Sequence, residues 1–184
     1  PWAIIGRFPA IWVVWVVLIN LSIVLYYQAI RGGFGFMFRS NTSMLWILFI
    51  FNSLILVTWE ALSNNWRWLT ERWAVRLLAV GSGLPITWLA LHAVFHDRAG
   101  YILSWPMWVV WLMVLYFFYR KIRPDLFMLA TGCLSGIVVL IVFLARHLLD
   151  DWDSGGFLFL AMVVIGLGTG AAVWLRNVHR EWQQ

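Results

Sequence analysis

Two histidines four residues apart, His92 and His96, precede Asp97, and Arg146, His147, Asp150, Asp151 and Asp153 gather some fifty residues later. An i, i+4 histidine pair shares one helical face. With His147 or Asp150 added, three or four ligands for Zn²⁺ or another divalent metal become available. His92 and His147 also fall at comparable depths in their segments, which suits the axial ligation of a haem b. The competing reading is plainer: histidines are common at membrane boundaries and aspartates in short polar turns. On these residues alone the plainer reading outweighs the metal and the haem.

Other polar groups stand inside long apolar stretches. Asn20 and Asn52 each lie near the middle of one. A buried amide in hydrocarbon seeks a partner, so the two are expected to hydrogen-bond to each other. A polar transport route is the functional alternative. Glu60, beside Trp59, is a candidate proton or cation group, or else a boundary carboxylate facing headgroups or an arginine. The run Gly81-Ser82-Gly83-Leu84-Pro85 interrupts a third apolar stretch. Proline removes a donor and crowds the preceding turn. The run therefore reads as a proline kink, or as a broken helix whose freed backbone groups line a cavity.

The elements that must position these residues follow from composition. The chain has 184 residues, 63% hydrophobic and 11% charged, against roughly a quarter charged in a soluble domain. The deficit is spread throughout, so this is one integral membrane domain. Charges divide it into uncharged windows at 8–30, 40–59, 77–96, 99–119, 126–145 and 154–175. Each is close to the roughly 20 residues that a helix needs to cross hydrocarbon. In lipid the backbone must satisfy itself, so the windows are helices despite many β-branched residues. The expectation is an all-α polytopic transmembrane bundle of six spans, about 10–30, 42–62, 76–96, 104–120, 125–147 and 155–175. A short interfacial helix is expected between spans 2 and 3, where Trp66, Leu69 and Trp73 share a face and Arg67, Glu71 and Arg72 point elsewhere.

Six spans put both termini on one side. That side would carry Arg7, Arg67, Arg72, Arg76, Arg120, Lys121, Arg123, Arg176 and Arg180, against Arg31, Arg39, Arg98 and Arg146 opposite. The positive-inside rule then places both termini in the cytoplasm. The net charge of +5 is dispersed at helix ends, which fits anionic lipid and not nucleic acid. Fifteen tryptophans read as interfacial anchors, with Trp105, Trp108 and Trp111 thickening the outer aromatic belt. The single cysteine, Cys133, excludes an internal disulfide and reads as a packing residue. Small-residue pairs, Gly132/Gly136 and Gly166/Gly170, permit close helix approach within the chain or between copies. A start at Pro1 instead of Met points to processing or to a piece of a longer protein.

Three stretches carry a resemblance: Tyr119-Arg-Lys-Ile-Arg-Pro-Asp-Leu-Phe-Met-Leu-Ala, Phe143-Leu-Ala-Arg-His-Leu-Leu and Asp153-Ser-Gly-Gly-Phe-Leu-Phe-Leu. Over about 105–184 the chain resembles the C-terminal part of a family of multi-pass bacterial inner-membrane proteins of unknown function. The resemblance implies that location and a longer chain, and it supplies no catalytic residues. The sequence holds no HExxH, no paired cysteines and no serine nucleophile elbow. Three functions stay open. The first is a membrane subunit acting through helix packing with a protein partner or as a homo-oligomer. The second is a transporter or small-molecule binder using helix 3, Asn20 and Asn52. The third is a metal- or haem-dependent protein built on His92, His96 and His147.

Overall fold

The apolar windows fold as helices, and their buried positions recur at helical spacing. A computed structural model describes residues 9–31, 42–63, 72–95, 103–149 and 154–183. The helices are α1 (Pro9–Arg31), α2 (Thr42–Ser63), α3 (Arg72–Phe95), α4 (Ser104–Phe117), α5 (Leu126–Leu149) and α6 (Ser154–Glu181), with a π turn (Phe118–Ile122) following α4. They form two compact units, residues 1–85 and 86–184, so α3 contributes to both.

In the first unit α1 buries Val13 and Val16, and α2 buries Leu45, Leu48, Phe49, Asn52 and Trp59. These steps of three, four and seven residues form one helical stripe. In the second unit α4 buries Trp108, Trp111 and Leu115 and the π turn buries Tyr119, while α5 buries Met128, Leu129, Ser135 and Val139. Outside these stripes Leu18, Leu25, Leu54, Val57, Leu84, Leu134, Leu158 and Ile165 are exposed. Water would not tolerate so much apolar surface in a monomer, whereas acyl chains cover it. Hydroxyls on the exposed faces are masked by their own helices: Ser22, Thr58, Thr131 and Thr169 donate to the carbonyl four residues earlier at 2.7–3.0 Å. This is a multi-pass, all-helical membrane architecture.

Two expectations about the spans are corrected. Among the described residues five helices, not six, are long and apolar enough to cross a membrane: α1, α2, α3, α5 and α6. Helix α4 has 14 residues, reaching about 21 Å at 1.5 Å per residue, short of the roughly 30 Å hydrocarbon core. It stops because the chain ahead cannot continue it. Pro124 drives Arg123 out of the helical region, to φ −135° and ψ 89°. The last turn widens to satisfy its carbonyls, with Arg123 N donating to Phe118 O at 3.1 Å and Asp125 N to Tyr119 O at 3.3 Å. Asp125 then caps α5, its Oδ1 accepting from Phe127 N at 3.0 Å.

The non-spanning helix therefore lies between the third and fourth spans, not between the second and third. Where the interfacial helix was expected, Ser63 closes α2 and Arg72 to Arg76 already belong to α3. Residues 64–71 lie outside the described residues. Burial explains the difference, since Ala74 and Val75 are buried within α3 and do not lie along a surface.

Candidate functional site

Polar residues from different helices meet at two nodes, one in each unit. In the first, Asn20 of α1 and Asn52 of α2 bond reciprocally. Asn20 Nδ2 donates to Asn52 Oδ1 at 3.1 Å, and Asn52 Nδ2 donates to Asn20 Oδ1 at 2.6 Å. Each amide spends its second donor on its own helix, Asn20 on Val16 O and Asn52 on Leu48 O, both at 2.8 Å. All four N–H groups are used, and Asn52 is buried. A closed ring of this kind has no donor left to pass to a permeating solute.

Gly81 of α3 completes this node. A Cβ at Gly81 would stand 3.1 Å from Asn52 Oδ1 and 3.5 Å from Asn52 Cγ. A side chain there would fit only if the Asn52 amide gave way by a few tenths of an ångström. Ser82, also fully buried, donates to Ala79 O at 3.0 Å. Gly83 and Pro85 are buried as well. Helix α3 runs through all five residues, Gly81 to Pro85, without interruption. Proline deletes one rung of the ladder, and the turns on either side hold the helix together. Of the two readings, kink or break, the continuous helix does not bear the break out, and Ser82, Gly83 and Pro85 are turned into the packed interior. A hollow of about 330 Å³ in the first unit is apolar, lined by Ile19, Ser22, Ile23, Tyr26, Tyr27 and Ile47.

The second node was not legible as a site. Ser135 of α5 accepts a hydrogen bond from Trp108 Nε1 of α4 at 3.0 Å and shares a 2.7 Å hydrogen bond with Thr87 of α3. One hydroxyl ties three helices. Trp108 and Trp111 are buried, so they are core residues and not the outer belt expected of them. Their spacing with Trp105 offered a signal: residues 105, 108 and 111 share one helical face, which turns toward α5. Trp105 meets Phe143 of α5 edge-on at 6.2 Å. Close by, Gly132 gives Leu112 and Leu115 of α4 room to pack, at 3.7 and 3.9 Å from where its Cβ would be.

The metal set is not assembled among the described residues, where no three histidines, cysteines or carboxylates form a group that could hold an ion. His96 and Asp150 lie outside the described residues. His92 is half-buried, edge-on to Trp88 at 5.8 Å. His147 is exposed, packed on Phe143 at 4.3 Å with its Nδ1 2.9 Å from Phe143 O. Its neighbour Arg146 reaches across to α3, lying 5.8 Å over the Phe95 ring. The described geometry gives neither the metal nor the haem reading any support. Glu60 sits half-buried beside the buried Trp59, and Cys133 is half-buried with a free thiol.

A third cluster lies where the π turn meets the end of α6. Tyr116 and Trp174 stack at 6.2 Å with 26° between their planes. Arg120 lies over both rings, at 5.5 and 6.0 Å. Its Nη1 donates to Tyr116 Oη at 2.9 Å and its Nη2 to Glu181 Oε2 at 3.4 Å. No sequence pattern announced this grouping, because α4 and its π turn supply one half and α6 the other, 54 to 65 residues further along the chain.

No family model matches this chain, and neither a curated protein nor a solved structure matches it. The resemblance over 105–184 gains no support from these comparisons, and what the structure carries is the coarser class, a multi-pass helical membrane protein.

Proposed function

We propose that this chain is an integral membrane subunit or domain that works by packing its helices against a protein partner or a second copy of itself. The observation that carries the reading is α6. It packs along α5, yet no residue in its most apolar 18-residue window is buried. On it, a Cβ at Gly166, Gly168 or Gly170 would meet nothing within 4 Å. Small residues cost a lipid-facing helix nothing, but they let another backbone approach closely. The polar nodes support the same reading from the other side, since each is closed on itself and serves packing.

The membrane in this reading is the bacterial inner membrane, with the end of α6 in the cytoplasm. Arg120 and Lys121 close the π turn, Arg176 and Arg180 lie near the end of α6, and the Arg120–Glu181 contact brings those ends together. A concentration of bases at one end is what the positive-inside rule reads.

The test is cysteine cross-linking in native membranes. With Cys133 replaced by alanine, single cysteines at positions 166 and 170 are expected to cross-link, to another copy or to a second protein. A control cysteine at position 134, on α5, should cross-link at least fivefold less. A chain that stays monomeric and uncross-linked at all three positions overturns the reading.

A further inference from the structure

We propose that Arg120, backed by Tyr116 and Trp174, is a binding site for the phosphate of an anionic phospholipid, and that Glu181 occupies it as an internal stand-in. The guanidinium is prepared for such a ligand. Its side chain is 29% exposed. Two aromatic faces and the Tyr116 hydroxyl fix its position. Two contacts use two of its five N–H donors, leaving the fork able to take two phosphate oxygens side by side. Lys121 follows immediately and is exposed, adding a second cation.

The Glu181 contact has the character of a placeholder. It is a single 3.4 Å approach, from a carboxylate that is 60% exposed and ends α6. A phosphodiester carries the same charge and can engage the fork at two points. A lipid is the favoured source because apolar surface adjoins the charge. Phe117, Ile122 and Val173 are all exposed around the cluster, where acyl chains would lie. Tyrosine and tryptophan at this level are typical of the headgroup boundary. The site rests on the membrane architecture and is independent of any protein partner.

Full-length protein in mild detergent is incubated with phosphatidylglycerol or phosphatidylcholine, and retained lipid is counted by native mass spectrometry. Wild type should retain phosphatidylglycerol over phosphatidylcholine. Arg120→Gln should cut that retention at least threefold. Arg176→Gln removes the same charge from α6, on the face away from Trp174, and should cut it less than 1.5-fold. Glu181→Gln, which leaves the fork intact and does not depend on the Arg120 variant folding, should raise retention at least twofold. Equal losses in the two arginine variants would mean general surface attraction and overturn the site. Unchanged retention in Glu181→Gln overturns the stand-in. Full competition by millimolar inorganic phosphate would reassign the ligand to free phosphate and overturn the lipid.

Discussion

Removing the amide pair of the first unit, one residue at a time and then together, tests whether it acts as a packing clamp. The perturbations are Asn20→Ala, Asn52→Ala and the double variant. Two interhelical bonds of 2.6 and 3.1 Å are lost. Measured side-chain bonds between membrane helices average about 0.6 kcal/mol and reach about 1.7. The pair should therefore show a coupling energy of about 1–2 kcal/mol. Gly81→Ala extends the cycle. Its Cβ would press on an Asn52 amide already held by three hydrogen bonds, so the amide must shift by a few tenths of an ångström and strain them. The substitution should cost about 1 kcal/mol more in wild type than in the Asn52→Ala background, where the obstructing oxygen is gone. Reversible unfolding in mixed micelles, followed by circular dichroism as dodecyl sulfate is raised, reads each free energy. A coupling between Asn20 and Asn52 below about 0.3 kcal/mol, or an equal cost of Gly81→Ala in both backgrounds, would refute the clamp.

The same assay checks the second node and the histidines. Ser135→Ala removes the partner of both Trp108 and Thr87 and should destabilise the protein by about 1–3 kcal/mol, while Ser135→Thr, which keeps the hydroxyl, should recover part of the loss. His147→Ala should change stability by less than about 0.5 kcal/mol, because the ring is exposed and its one hydrogen bond stays within its own helix; elemental analysis of wild type and variant should give the same metal content.

Much of the fold was legible because a bilayer leaves the backbone few choices. An apolar run of about twenty residues must satisfy its peptide groups internally, so length and charge spacing locate helices. Five of the six expected windows are helices of spanning length. The sixth falls short for a local reason that hydropathy does not register: the geometry of Arg123 and Pro124, which ends the α-helix at Phe117 and widens the turn after it. The interfacial helix between spans 2 and 3 failed for a related reason. Amphipathic spacing at residues 66–73 says that one face is apolar, but not whether that face meets lipid or a neighbouring helix. Ala74 and Val75 show that here the chain is already inside α3.

By itself the sequence determined that the protein is helical and membrane-embedded, and that Asn20 and Asn52, at matching depths on antiparallel neighbours, could meet. Those properties follow from transfer free energies and helical rise, which are local and additive along the chain. Only the tertiary structure decided what each polar group does. It closed the asparagines into a ring with no spare donor, kept α3 continuous past Pro85, turned Trp108 from an anchor into a partner of Ser135, and placed Arg120 over two stacked aromatic rings. Each outcome depends on which face of one helix meets which face of another. That choice is made by side-chain packing between segments far apart in the chain, which helical periodicity constrains but does not select.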